Sequence, residues 1–226
     1  MRLVFDGLET AIEIEAGLPA VVQVENQALF ARLVQSLSSR EGRYAPESYS
    51  VWNGDIEVAP KMATLLIADV FGLPWDDRSL LGEVLKRIER DLIDDEEARL
   101  GLENAERLFA SKMMALSAGL SADYAFGIEW DLGRSLKALG FGVDAMPSYK
   151  LIDNLITFLS LALDSGCQKI LVFVNLKTFL TKNELELFYE HVFYTKNHVL
   201  LLENIQDSNS YQYEIKCIVD QDFLEY

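Results

Sequence analysis

An α/β fold built on a largely parallel sheet, with an α-helical leg inserted into it, is what this chain of 226 residues predicts. Three observations carry that expectation. Residues 20–24, 64–70, 170–174 and 199–202 are near-continuous apolar runs of strand length, as expected of strands covered on both faces. Helix-period patterns follow several of these runs, and strands alternating with helices favour parallel pairing. Between the two sets of strands, residues 75–145 read as helix after helix. The chain therefore divides into a first part of an α/β head over 1–74, the leg over 75–145, and the second part of the head over 146–226.

A hairpin is expected over residues 3–14, where Phe5, Leu8, Ile12 and Ile14 are apolar and Asp6-Gly7 supplies turn chemistry. The strand over 20–24 runs through Glu25-Asn26 into a helix with Leu29, Phe30, Leu33, Val34 and Leu37 on its apolar face. Residues 49–58 read as a second hairpin turning at Asn53-Gly54, and the apolar run 64–70 leads to Gly72. The leg opens with a helix over 79–97, striped by Leu81, Val84, Leu85, Ile88 and Leu92. A second helix covers 98–118, and a third covers 130–139 and is stopped by Gly140 and Gly142. Pro147 precedes a fourth helix over 148–163 with a wide apolar face. The strand over 170–174 then delivers Asn175 and Lys177 at its end. Thr181 and Glu184 form a capping box for a helix over 182–193. Strands over 199–202 and 213–219 complete the head, and 220–226 form a short acidic tail.

Half of the residues are hydrophobic and 11% are aromatic, so a real core is expected. The longest apolar runs fall short of a membrane span, and the N-terminus turns acidic before any signal-like stretch develops; the cytosol is the expected compartment. Two cysteines, Cys167 and Cys217, do not suggest a disulfide framework. The formal net charge of -16 argues against a simple basic nucleic-acid surface. It leaves room for bound divalent cations, and for a ring or cleft that turns its lysines inward.

An α/β head raises the question of nucleotides, but neither G-x-x-x-x-G-K-[ST] nor G-x-G-x-x-G follows any strand. His191 and His198 have no evident catalytic partners, and no serine stands in a nucleophile elbow. Glu103, Glu106, Asp123, Glu129 and Asp131 are hard oxygen donors that suit calcium or magnesium; a solvated helix face is the plainer reading of such a spread. Lys61, Arg87, Lys112, Arg134, Lys137, Lys150, Lys177 and Lys182 are candidates for phosphate contact. Lys177 and Lys182 stand out because they flank a strand end and a helix N-terminus, both places where anionic ligands gather. A well-made strand-to-helix turn is the alternative there.

The run Ile170-Leu171-Val172-Phe173-Val174-Asn175, followed by Phe179-Leu180-Thr181-Lys182-Asn183-Glu184 and Val199-Leu200-Leu201-Leu202-Glu203, resembles Csn2, the spacer-acquisition family of type II-A CRISPR systems. Val21-Val22-Gln23-Val24-Glu25-Asn26 with Phe30, and Ser135-Leu136-Lys137-Ala138-Leu139-Gly140 with Val143, extend the likeness. The resemblance implies a head like that of P-loop proteins without a working nucleotide site, and a helical leg. It implies a homotetrameric ring that binds double-stranded DNA ends without sequence preference and uses calcium (Ca2+) to hold the competent ring. It implies no catalytic activity, a bacterial cytoplasmic location, and partners in the CRISPR integrase and the guide-dependent nuclease. On the resemblance, Glu129 is expected as a calcium ligand, with Asp123 and Glu106 as further candidates. Lys177, Lys182, Lys150 and Lys137 are expected to contact phosphate. Two alternatives stay open: a metal-dependent nuclease or nucleotide hydrolase, and an interaction scaffold without direct DNA binding.

Overall fold

The computed structural model describes residues 1–122, 124–125, 131–144, 149–222 and 224–225. In chain order its elements are β1 (Arg2–Phe5), β2 (Ile12–Glu13), β3 (Ala20–Val24), α1 (Gln27–Ser39), β4 (Tyr49–Asn53), β5 (Ile56–Val58), α2 (Pro60–Ala63) and β6 (Thr64–Ile67). Then come α3 (Leu81–Asp94), α4 (Glu96–Ser117), α5 (Leu132–Ala138), α6 (Leu151–Asp164), β7 (Ile170–Val174), α7 (Lys182–Thr195), β8 (His198–Glu203) and β9 (Ile215–Val219).

The apolar runs form one five-stranded sheet in the order β6-β7-β8-β3-β9, parallel at every pairing. Alternate residues of these strands enter two different cores. Val21, Leu171, Phe173, Val199 and Leu201 pack with Leu155, Phe158 and Leu159 of α6 and Leu185, Phe188 and Val192 of α7. Val22, Ile170, Val172, Leu200 and Leu202 pack on the other face with Leu29, Leu33 and Leu37 of α1. Burial on both faces is why these strands carry almost no polar residue.

The N-terminal hairpins make a separate antiparallel sheet, β2-β1-β4-β5, which closes the second core through Leu3, Phe5, Tyr49 and Val51. The second hairpin turns one residue later than its Asn-Gly pair suggests: Asn53 pairs with Ile56, so the loop is Gly54-Asp55 and Gly54 takes the positive φ of 59°.

The helical region is rooted in the head by Leu73, Trp75, Leu80 and Val84, which join the α6/α7 core. The break between its first two helices falls at Asp95, not after Glu97. Asp95 has extended backbone, and its carboxylate accepts from the Ala98 N–H at 2.9 Å, so it caps α4. Neither α3 nor α4 contains a buried residue. The C-terminal segment is not a free tail. Val219 bridges to Glu225, whose carboxylate accepts from the Glu9 N–H at 2.5 Å and the Thr10 N–H at 2.9 Å. No helix among the described residues is long and apolar enough to cross a membrane.

Candidate functional site

The carboxyl ends of β7, β8 and β3 meet at one crevice, the usual ligand position in an open parallel sheet, and β9 adds to it Glu214 and Lys216 from its start. Strand β7 stops because Asn175 turns left-handed (φ 55°), a conformation asparagine tolerates. Its side-chain oxygen accepts from the Asn204 N–H at 3.0 Å, tying the end of β7 to the end of β8. A 3-10 turn over Leu176–Phe179 follows, and Glu203 receives its Lys177 N–H at 3.0 Å. Glu203 is only 2% exposed. Burial pushes its carboxyl up to about 7, against the opposing pull of the Lys177 N–H and ammonium.

Beside it lies an alternating square of charges. The Lys177 ammonium is 2.6 Å from Asp207 Oδ2 and 3.2 Å from Glu214 Oε2. The Lys216 ammonium is 3.1 Å from Asp207 Oδ1 and 3.1 Å from Glu214 Oε1. Gln23 Nε2 donates to Asp207 Oδ2 at 2.8 Å, and the Tyr189 hydroxyl donates to Glu214 Oε2 at 2.9 Å. Burial alone would raise Asp207, but the hydrogen bonds from Lys177 and Lys216 outweigh it and hold the carboxyl at about 2. Burial likewise works against the Lys216 charge, and its bonds to Asp207 and Glu214 reverse the sign and raise it. Tyr189 is raised by burial first and by the Glu214 charge next to it second. A pocket of about 310 Å³ opens in front of this square, walled by Thr178, Leu180, Lys182, Ile205 and Tyr211.

The geometry leaves no phosphate cradle. Only Glu25 and Asn26 separate β3 from α1, and the Asn26 side chain accepts from the N–H groups of Ala28 and Leu29 at 3.1 and 3.0 Å. These are the amides a phosphate would need. Glu25 is itself held on both sides, its N–H by Val219 O and its carbonyl by Gln221. The N-terminus of α7 is filled in the same way. Its capping box is complete, with Thr181 accepting from the Glu184 N–H and Glu184 accepting from the Thr181 N–H at 2.9 Å.

Of the four lysines expected at phosphate, the structure separates one from the rest. Lys177 is 10% exposed, and its ammonium is already shared by two carboxylates, so it does not offer a free charge to solvent. Lys182 is 67% exposed with Glu186 at 3.9 Å. Lys150, immediately before α6, and Lys137, in the last turn of α5, are also exposed. Among the calcium candidates, Glu106 is half-buried on α4 in the wall of a groove of about 700 Å³ between α4 and α5. Asp123 and Glu129 lie outside the described residues. Among the described residues no three acidic, histidine or cysteine side chains come together as a metal site, so these residues alone do not build one.

Sequence reasoning missed Asp207, Glu214, Lys216, Gln23 and Tyr189. The one available signal was Glu203, a carboxylate closing an otherwise apolar strand.

The sequence model of the CRISPR-associated protein family Cas_Csn2 matches residues 49–223, well over half of the chain. A solved structure, that of Stu0660 of Streptococcus thermophilus, superposes with a TM-score of 0.54. It covers 97% of this chain and 74% of its own, at 16% identity, which shows a shared fold. Fold and family thus agree along the chain, from the hairpin at β4 to the last strand. The chain belongs to the Cas_Csn2 family of CRISPR-associated proteins.

Proposed function

We propose that this protein is a non-enzymatic clamp. Four chains close into a ring that holds double-stranded DNA ends, without sequence preference, during spacer acquisition in the bacterial cytoplasm. The family membership supports the setting. The observation that carries the assembly is the apolar surface of the leg. Leu102, Leu108, Phe109, Leu116 and Leu139 are 44%, 61%, 68%, 74% and 83% exposed, and the groove between α4 and α5 is lined by Leu102, Phe109, Leu132 and Leu136. Exposed apolar side chains around an apolar groove are unfavourable in water and favour burial against another chain. At the sheet, the closed phosphate position favours holding over nucleotide hydrolysis.

Lys182, Lys150 and Lys137 are the exposed ammoniums through which such a clamp would reach phosphate. Contacts to the backbone rather than to base edges give sequence independence. A single contact of this kind is weak, and four copies around one duplex add up. Calcium enters the proposal through the family, with Glu106, Asp123 and Glu129 as its candidate ligands; it would lower repulsion in a chain of charge -16.

The test uses one duplex in three forms, in calcium or chelator: free ends, one end blocked by a bound protein, and both ends blocked. Binding in calcium to the first two, and loss with the third, is expected. Equal binding to all three forms would overturn end recognition. A second reading, a scaffold that recruits the CRISPR integrase and the guide-dependent nuclease without touching DNA, is favoured by the same net charge. Normal rings that ignore all three duplexes would support it. Magnesium-dependent cutting of any of them would instead make the protein a nuclease.

A further inference from the structure

The charge square at the strand ends joins two lysines of the rigid head to a carboxylate carried by a loop. Lys177 sits on the turn after β7, and Lys216 is in β9. Asp207 belongs to residues 204–214, which contain no regular secondary structure and are largely exposed. Asp207 offers one oxygen to each ammonium, at 2.6 and 3.1 Å, the arrangement in which two lysines grip the free oxygens of a phosphate diester. We infer that this loop is an autoinhibitory strap. Its Asp207 occupies Lys177 and Lys216 in place of a nucleic-acid phosphate, and a duplex backbone displaces it. The inference rests on the DNA-clamp reading above.

The loop has other attachments: buried Gln23 donates to Asp207 Oδ2 at 2.8 Å and accepts the Asp207 N–H at 3.3 Å, and the Asn204 N–H donates to Asn175. Lys216 donates to the Asn209 carbonyl, the Tyr211 ring meets Tyr189 edge-on at 5.6 Å, and Tyr213 stacks on Phe193 at 4.9 Å. The Lys177 ammonium also lies 5.2 Å from the Tyr211 ring centre, so the loop covers it from two directions. An exposed segment without ladder hydrogen bonds opens at lower free energy than the strands beneath it. Glu214 is different. It is 2% exposed at its side chain and anchored by the Tyr189 hydroxyl, so it stays with the head.

Charge decides what opening would do. With the strap closed, the ammoniums of Lys177 and Lys216 face Asp207, Glu214 and the buried Glu203, an excess of one carboxylate. With Asp207 lifted away, two ammoniums face two carboxylates. Lys182, on the wall of the same pocket, has Glu186 at 3.9 Å, so opening takes the face from one excess carboxylate to balance. The protein would uncover these two ammoniums only where a polyanion competes for them, which suits a chain whose overall charge repels DNA.

The test is Asp207→Asn in the full-length protein, with duplex affinity measured across salt concentrations and thermal melts confirming the fold. Affinity should rise several-fold. The slope of log affinity against log salt should steepen by roughly 0.9 for each ammonium that reaches a phosphate. Lys177→Gln should change little on its own and should cancel the gain in the Asp207→Asn background. Unchanged or weaker binding by folded Asp207→Asn, while the parent protein binds, would overturn the strap and leave the clamp intact. No binding by either protein would remove the clamp, and the strap with it. If Asp207→Asn does not fold, a spin label at Ser208→Cys in the otherwise native loop gives the answer. Its mobility should rise when duplex binds, and an unchanged spectrum in a bound complex would overturn the strap.

Discussion

Glu203 and Asp207 stand four positions apart and titrate in opposite directions, because one is buried without an ammonium of its own and the other is gripped by two. Asp207 is depressed from its ordinary 3.8 to about 2, so its contribution is complete above the unfolded value and is lost as pH falls toward 2. Partial exposure reduces that contribution to about 1–2 kcal/mol. Glu203 is raised from 4.5 to about 7, so its folded-state preference is for the protonated form. The stability it confers is complete below 4.5 and lost as pH rises through 7, a loss of about 2–3 kcal/mol. Together the two groups place maximal stability near pH 4–5. Urea melts between pH 2 and 9 check this: Glu203→Gln should flatten the decline between pH 5 and 8 and leave the acid limb unchanged. A decline that survives Glu203→Gln would assign it to another group.

At the scale of elements, the helix α7 and the strand β7 show how local physics and packing divide the stability. Thr181→Ala removes the capping-box oxygen and should lower stability by about 1 kcal/mol, read as a shift of the urea midpoint at constant slope. Phe173→Ala empties a fully buried site between Phe158 and Phe188 and should cost about 3–5 kcal/mol in the same assay. Both features were legible in the sequence, the cap as Thr181 with Glu184 and the strand as an unbroken apolar run. The break at Asp95 was less so, because Asp94, Asp95, Glu96 and Glu97 are all plausible in a first or last turn and only the cap geometry selects one. The charge square was not legible at all. Lys177, Asp207, Glu214 and Lys216 meet through parallel pairing of β3 with both β8 and β9, and no sequence spacing encodes that register. Lys177 is recognisable in the sequence as a strand-end residue, but Asp207 lies on a loop that carries no periodic signal.

For the whole molecule, the division of labour follows from where apolar surface is satisfied. The head buries both faces of its parallel sheet, one under α6 and α7 and the other under α1 and the antiparallel sheet. That second sheet appeared in the sequence only as two hairpins; their joining through β1 and β4 is a long-range pairing that turn chemistry does not specify. No residue of α3 or α4 is fully buried within the chain, although Val84 packs against the head core. Phe109→Asp should therefore leave the fold and the melting temperature of the head almost unchanged, since Phe109 is 68% exposed, and yet reduce the assembled mass. Loss of the fold would instead mean that Phe109 packs within its own chain. The central claim is the threaded ring, and light-scattering mass on a sizing column tests it most directly, with and without millimolar calcium, adding linear and covalently closed duplex of equal length. Four chains of 25.5 kDa, about 102 kDa, shifting to higher mass only with linear duplex in calcium, is the predicted result. A monomer or dimer that ignores both DNAs would contradict it.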